Sequence, residues 1–266
     1  MISLNFGLFW SGGDISYLRY LTLASLRKFH PDSQIDLYMS KEFLNDGVKW
    51  GCEKQDFQYD QCEQHVSIED IEKLDVNIKS FDAFENYTPN YQSDFFRWWW
   101  LKEHGGFYLD MDQIILKSFA ELDLDYDLIT TRYKLSWGAA YYPVGVLGAV
   151  KTSEIVDYAN DMLVKYYNPN DYNSLGPWGF RSVYNLKTWR DKVHFTPSQY
   201  FYPIPESQYM PVAYENSIKL PEDVFAFHWY GGLPQSQEFN RIFTREFAEA
   251  HDDTVSNIVR ENNFFE

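Results

Sequence analysis

The chain has 266 residues, enough to bury a sizeable core in one large domain, and its 45% hydrophobic and 23% charged content is that of a globular protein rather than a disordered one. A formal charge of −16 argues against a nucleic-acid partner, because neutralising a phosphate backbone needs a basic surface, and against docking on anionic lipid by charge. Aromatic residues make up 19% of the chain, a large supply of flat faces for core packing, sugar rings or nucleobases.

The chain opens without a basic region and reaches Ser11-Gly12-Gly13-Asp14 early, so no secretory leader is expected. No uncharged apolar stretch reaches the roughly 18 residues of a membrane span, and a cytoplasmic protein is the simplest expectation. Cys52 and Cys62 make neither a disulfide framework nor a paired metal-ligand spacing, and free thiols are expected.

In chain order, the pattern predicts a strand over 2–10 ending at Ser11-Gly12-Gly13, then a helix over 15–29 with Asp14 as its N-cap. A second strand follows over 34–39. This opening points to an α/β sheet. Between 41 and 90 the pattern is poorer, with short helical pieces near 68–74. A compact helix is predicted over 93–104, a short strand over 107–109 and extended chain over 114–116. Further strands are expected over 128–133, 144–150 and 224–229, with helices from the Ser153 cap to about 166, after Gly176-Pro177, and over about 238–250. One domain over 1–266 is expected, with 237–266 as a C-terminal helical extension. No internal repeat or low-complexity segment is present.

The segment from Ser93 to Leu116, SDFFRWWWLKEHGGFYLDMDQIIL, carries most of the chemistry. Phe95, Phe96, Trp98, Trp99, Trp100 and Leu101 cover most of the helix circumference, so this helix should be buried. Asp94 and Arg97 share one face, three residues apart, either as a structural ion pair or as the wall of a polar cleft. Gly105-Gly106 supplies a helix stop and a place for close backbone approach. In an extended chain, Asp110 and Asp112 project to one side and Met111 to the other. Two such carboxylates repel unless a cation lies between them or one is protonated, and oxygen ligands select Mg²⁺ or Mn²⁺. Asp-x-Asp alone is a weak signal. Asp123, Asp125 and Asp127 repeat it nearby in what reads as a solvated turn.

Ser93-Asp94, Arg97 and Gly105-Gly106-Phe107-Tyr108-Leu109-Asp110-Met111-Asp112 resemble the signature of DXD-containing glycosyltransferases of the family 32 type. These include fungal mannosyltransferases, bacterial capsule and lipopolysaccharide transferases, and the glucosyltransferase domain of large clostridial toxins. Leu8-Phe9-Trp10-Ser11-Gly12-Gly13 resembles the first-strand motif of the same proteins. The resemblance implies a GT-A fold, a mixed, mainly parallel sheet flanked by helices with the donor at the strands' carboxyl ends. It implies a metal-dependent, retaining transfer from a nucleoside-diphosphate sugar, UDP favoured over GDP, to a hydroxyl on a glycan or related acceptor. Donor contacts would come from Phe9, Trp10 (stacked on the base), Ser11, Asp94, Arg97, Asp110 and Met111. Asp110, Asp112 and Arg97 would form the catalytic centre, with Asp112 the firmest ligand to Mn²⁺ or Mg²⁺.

His228 ends the run Val224-Phe225-Ala226-Phe227 and precedes Trp229-Tyr230-Gly231-Gly232, which resembles the family's C-terminal motif over the donor diphosphate and makes His228 a candidate metal or phosphate ligand. The chain departs from that motif in Leu233-Pro234-Gln235-Ser236, where a Ser-Trp pair is common. Acceptor specificity is expected from 133–142 and 168–180. Two other classes fit the same residues: a metal-dependent phosphohydrolase using water as acceptor, and a non-catalytic sugar-binding protein.

Overall fold

The computed structural model describes residues 1–11, 15–40, 50–51, 56–57, 62–84, 86–186, 189, 191–205 and 209–264. Gly12, Gly13, Asp14 and Cys52 lie outside the described residues.

A seven-stranded sheet forms the centre. In chain order its strands are β1 (Phe6–Trp10), β2 (Ile35–Met39), β3 (Asn77–Ser80), β4 (Gly106–Leu109), β6 (Leu128–Thr131), β7 (Val146–Ala149) and β8 (Val193–Thr196). Between β4 and β6 lies β5 (Gln113–Ile115), which leaves the sheet to form a separate antiparallel ribbon with β9 (Ala226–His228). Across the sheet the order is β8-β6-β7-β4-β1-β2-β3. Only β7 runs antiparallel to its neighbours; the other pairings are parallel. This is the mixed, mainly parallel GT-A arrangement. The chain leaves β1 for β2 on one side and meets β4 on the other, so strand order reverses at the carboxyl ends of β1 and β4. Ligands of open α/β sheets bind at such a reversal.

Every residue of β1 and β4 is buried, as expected for strands covered on both faces. The first helix, α1 (Tyr17–Phe29), is capped by Ser16, whose hydroxyl accepts the Arg19 N–H at 3.3 Å, and its last turn carries Arg27 and Lys28 toward the negative end of the helix dipole. The helix α2 (Pro89–His104) starts a turn earlier than its apolar pattern announces, because Pro89 is preset for the first helical position. It stops at Gly105, with φ +68°, and Gly106 follows at +92°; a Cβ on Gly106 would sit 2.4 Å from the Asn5 carbonyl oxygen. Trp98, Trp100 and Phe96 of α2 are buried against one face of the sheet. Gly7 of β1 makes room for Trp100, since a Cβ there would lie 2.2 Å from the indole. On the other face, β1, β2, β4 and α1 share a second core with Phe119 and Phe201.

The sequence missed β3, whose half-exposed residues show no alternation, and β8. The expected single helix over 238–250 is broken. Helices Pro234–Ile242 and Arg245–Ala250 replace it, because Thr244 turns its side chain to cap a new N-terminus, and Thr254–Glu261, capped by Asp253, follows beyond the expected end. Their apolar faces pack on Leu18 and Leu21 of α1 through Phe239, Phe243, Val255 and Val259. Among the described residues no helix is long and apolar enough to cross a membrane.

His30 follows α1 and is buried between Phe6 and Phe119, with ring centroids at 4.5 and 5.4 Å. Its Nε2 accepts the Phe119 N–H at 3.2 Å, and burial lowers its pKa to about 4. The unfolded chain therefore takes up a proton near pH 6.5 that the folded one refuses until about pH 4, so stability falls as pH drops through that window. Relative to His30→Gln, the wild type should lose about 2 kcal/mol between pH 7 and pH 5, at about 1.4 kcal/mol per pH unit. Urea midpoints at the two pH values check this, and an unchanged difference would refute it.

Candidate active site

A cleft of about 760 Å³ opens at the reversal point. Its floor is built by the segment that leaves β4. The Asp110 N–H donates to the Gly145 carbonyl at 2.8 Å, and the next two residues turn before β5 begins at Gln113. Asp110-Met111-Asp112 is thus a turn, not the extended chain the alternation argument assumed. Leu109 is the last residue of β4 in register with β7, and the Asp110 bond to Gly145 is the last rung, so the chain turns after Asp110. Both carboxylates still reach the cleft, and so does Met111, which is buried in the wall instead of pointing away.

Helix α2 supplies the next wall. The Arg97 guanidinium is buried, lies 2.9 Å from Asp94 Oδ1 and 3.5 Å from Asp110 Oδ1, and donates to the Val144 carbonyl at 2.8 Å. It sits 4.8 Å from the centre of the Tyr108 ring, while the Tyr108 hydroxyl donates to Asp110 Oδ1 at 2.5 Å. Asp94 and Arg97 are therefore both an ion pair and part of the cleft lining. Burial pushes the Asp94 carboxyl up to about 7 against the pull of Arg97, with Asp110 adding to the rise. Burial also raises Asp110, where Arg97 pulls the other way and Asp112 adds to the rise.

The β5–β9 ribbon brings in the third wall. His228 pairs in register with Gln113, and its Nε2 lies 3.1 Å from Asp112 Oδ2. The same oxygen accepts the Gly231 N–H at 2.7 Å. Burial works to raise the Asp112 carboxyl, but the His228 imidazole, helped by Arg19 and the Gly231 N–H, holds it below the usual range. Asp112 Oδ1 and His228 Nδ1 are buried without a hydrogen-bond partner among the described residues.

The cleft thus gathers Phe9, Trp10, Asp94, Arg97, Asp110, Met111, Asp112 and His228. Ser11 is buried and is not among the described lining residues. Phe9 packs on Phe96 at 5.3 Å. Trp10 is 1% exposed, with the Arg19 guanidinium over one face at 4.2 Å. Arg19 also donates to the Met111 carbonyl at 3.3 Å and lies 5.0 Å from the Trp229 ring, so it joins β1, the aspartate turn and the chain after β9. Sequence reasoning missed Arg19, as well as Gly145 and Tyr202. Arg19 gives no local sign of its role, because its partners lie far away in the chain.

Residues 19–136 match the family model for a glycosyltransferase sugar-binding region containing a DXD motif. The part of the chain over 19–136 is thus similar to that family's sugar-binding region. An uncharacterized glycosyltransferase of Acanthamoeba polyphaga mimivirus is 30% identical over 131 residues, covering 47% of this chain and 51% of the viral protein. The chain therefore spans about half the length of that relative. Among solved structures, the glycosyltransferase GlyE of Streptococcus pneumoniae TIGR4 superposes with a TM-score of 0.51 at 15% identity, over 98% of this chain and 60% of GlyE. Its apo form gives 0.50 at 16% identity, again over 98% of this chain and 60% of GlyE. At such identity these likenesses speak for the fold alone.

Among the described residues no three His, Cys, Asp or Glu side chains converge as a complete metal cage. The donors suit a hard divalent cation in another way. Asp112 Oδ1 is a buried carboxylate oxygen without a partner, beside a second carboxylate. Mg²⁺-type ions are commonly held by one or two carboxylates, with substrate phosphates and water completing the shell.

Gly145 guards this arrangement. A Cβ there would fall 2.7 Å from Asp110 Oδ2 and 3.2 Å from the Tyr202 hydroxyl. Gly145→Ala should displace the carboxylate rather than break the fold, lowering turnover about tenfold or more, since small misplacements at a reacting centre are expensive. Kinetics of nucleotide release beside a melting curve test this; unchanged kinetics would show that Asp110 tolerates the shift.

Proposed function

We propose that the protein transfers a sugar from a nucleoside-diphosphate donor to an acceptor hydroxyl, with Mn²⁺ or Mg²⁺ held by Asp110 and Asp112. The observation that carries this reading is the partnerless Asp112 oxygen in a cleft that also holds two buried guanidinium groups, at the carboxyl ends of β1 and β4. A bound cation would neutralise charge on the departing diphosphate. Arg97 and Arg19 add fixed positive charge on either side of the aspartates, already oriented by their carbonyl and ring partners. His228 holds Asp112 in place and offers its imidazole to a phosphate or the metal. Phe9 and Trp10, which line the cleft, would receive the base, which favours a UDP-sugar over a GDP-sugar.

In the reaction, the bond from the anomeric carbon to the diphosphate oxygen breaks and the diphosphate leaves with the electron pair. The anomeric carbon bonds to the acceptor oxygen, whose proton passes to the departing phosphate. The cleft's carboxylates among the described residues are Asp94, Asp110 and Asp112. Each is engaged, with Arg97, with Tyr108, or with His228 and Gly231. That supports retention by same-face attack rather than through a covalent glycosyl-enzyme.

A screen of UDP- and GDP-sugars for nucleotide release with Mn²⁺, with and without EDTA and candidate acceptors, tests the reading. Release that needs the metal and rises with an acceptor supports transfer. Release indifferent to every acceptor favours the hydrolase, and carbohydrate binding unaffected by EDTA without any release favours a binding protein.

A further inference from the structure

The connection from β6 to β7 does two jobs. At its end, Gly145 touches the aspartate turn. In its middle, Tyr133–Lys134 pairs antiparallel with Ala140–Tyr141 to form a hairpin along the cleft's outer wall. The tip is tied by the Gly138 N–H to the Leu135 carbonyl at 2.7 Å and by the Leu135 N–H to the Ala139 carbonyl at 2.9 Å. Gly138 takes φ +88°, a turn conformation that leaves Trp137 at the lip. Trp137 lines the cleft yet is 71% exposed, the most open large aromatic side chain among the described residues.

Beside this lip a run of rings leads inward from Trp178, on the helix Pro177–Leu186, through the hairpin's own tyrosines. Trp178 meets Tyr141 at 5.5 Å, Tyr141 meets Tyr133 at 5.3 Å, Tyr133 meets Tyr202 at 6.4 Å, and Tyr202 meets His228 at 5.1 Å. All five rings line the cleft, from half-buried Trp178 to His228, the partner of Asp112. A wall of aromatic faces carrying phenol groups suits a pyranose, which has an apolar C–H face and a rim of hydroxyls. The cationic side chains among the described lining residues are Arg19 and Arg97, both deep beside the aspartates; Lys134 of the hairpin and Arg181, 5.8 Å from the Trp178 ring, are not lining residues. The overall charge of −16 disfavours an anionic ligand.

We infer that the hairpin wall is the acceptor subsite, that it takes a neutral oligosaccharide, and that Trp137 stacks on a sugar ring distal to the accepting hydroxyl. This rests on the transfer reading above. Trp137 is 71% exposed, so its removal should leave the urea midpoint essentially unmoved.

The test uses the donor that the wild type turns over, with maltotetraose, cellotetraose, N-acetylchitotetraose and mannotetraose as neutral acceptors and a sialylated oligosaccharide and a Ser/Thr peptide as contrasts. At least one neutral oligosaccharide should raise nucleotide release. For that acceptor Trp137→Ala should raise KM about tenfold, the effect of roughly 1.4 kcal/mol of lost binding, while donor KM moves less than about twofold. Trp137→Phe should recover most of the affinity and Trp137→Leu should not, which separates ring stacking from mere apolar bulk. The inference is overturned by an acceptor KM that Trp137→Ala leaves unmoved, by Leu serving as well as Phe, or by stimulation only from the sialylated or peptide contrast. Donor turnover by the wild type that no neutral oligosaccharide stimulates overturns it while leaving a hydrolase possible; no turnover of any donor removes the transfer reading itself and the inference with it.

Discussion

Asp112→Asn is expected to lower nucleotide release by about a hundred- to a thousandfold, the usual cost of removing one group that stabilises charge in a transition state. The substitution is nearly isosteric. It keeps an acceptor for the Gly231 N–H, which now bonds to Asp112 Oδ2 at 2.7 Å, and it keeps the turn between β4 and β5. What it removes is the negative charge facing His228 and the buried oxygen that has no protein partner. Melting temperature should therefore change little while activity collapses, and added Mn²⁺ should recover little of it. Asp123→Asn is the control, because Asp123 lies exposed in the acidic turn after the site and outside the cleft. Activity of the Asp112 variant within about tenfold of wild type would mean that this carboxylate does not hold the ion, and the proposed chemistry would have to move elsewhere.

What the sequence makes legible follows from how local each signal is. The segment from Ser93 to Asp112 was legible because its parts are close in sequence. A helix apolar on nearly all sides must be buried, two glycines must end it, and a carboxylate pair must follow the next strand. The Asp94–Arg97 pair needed only helical spacing. The meeting of His228 with Asp112 was half legible: the sequence supplied the strand that ends at His228, but its antiparallel pairing with Gln113–Ile115 depends on tertiary packing. Arg19 was invisible for the same reason. It sits on an amphipathic helix as one more polar residue, and only the fold places Trp10, Trp229 and the Met111 carbonyl around it. The turn at Met111 escaped because strand alternation holds only while a neighbour keeps the chain in register, and pairing with β7 ends at Leu109. The first two C-terminal helices read as one because apolar periodicity runs on through Phe243, while the Thr244 cap that divides them is a single side chain.

Arg97→Ala should be the most destabilising change at the site, by about 3–5 kcal/mol, because it strands buried charge rather than removing a contact. Arg97 is the cation that Asp94 faces at 2.9 Å, and it also serves Asp110, the Val144 carbonyl and the Ser93 carbonyl and hydroxyl. The loss should depend on pH in a defined direction. Even with Arg97 present, burial raises Asp94 to about 7, and without it the carboxyl rises further, so the folded variant holds a proton that the unfolded chain, near pH 4, releases. A folded state that binds more protons loses stability as pH rises, so the variant should fall further behind wild type at pH 8 than at pH 6. Adding Asp94→Asn should restore part of the stability, by about 1–3 kcal/mol, since the charge that Arg97 balanced is then gone. Arg97→Lys should lie between, keeping the charge but losing the planar fork that reaches the Val144 carbonyl and Asp94 together. Urea midpoints for the four proteins at the two pH values decide it. An Arg97→Ala variant within about 1 kcal/mol of wild type, or one worse at pH 6, would show that Asp94 is neutral without help, and that the ion pair on α2 is not what holds this wall of the cleft together.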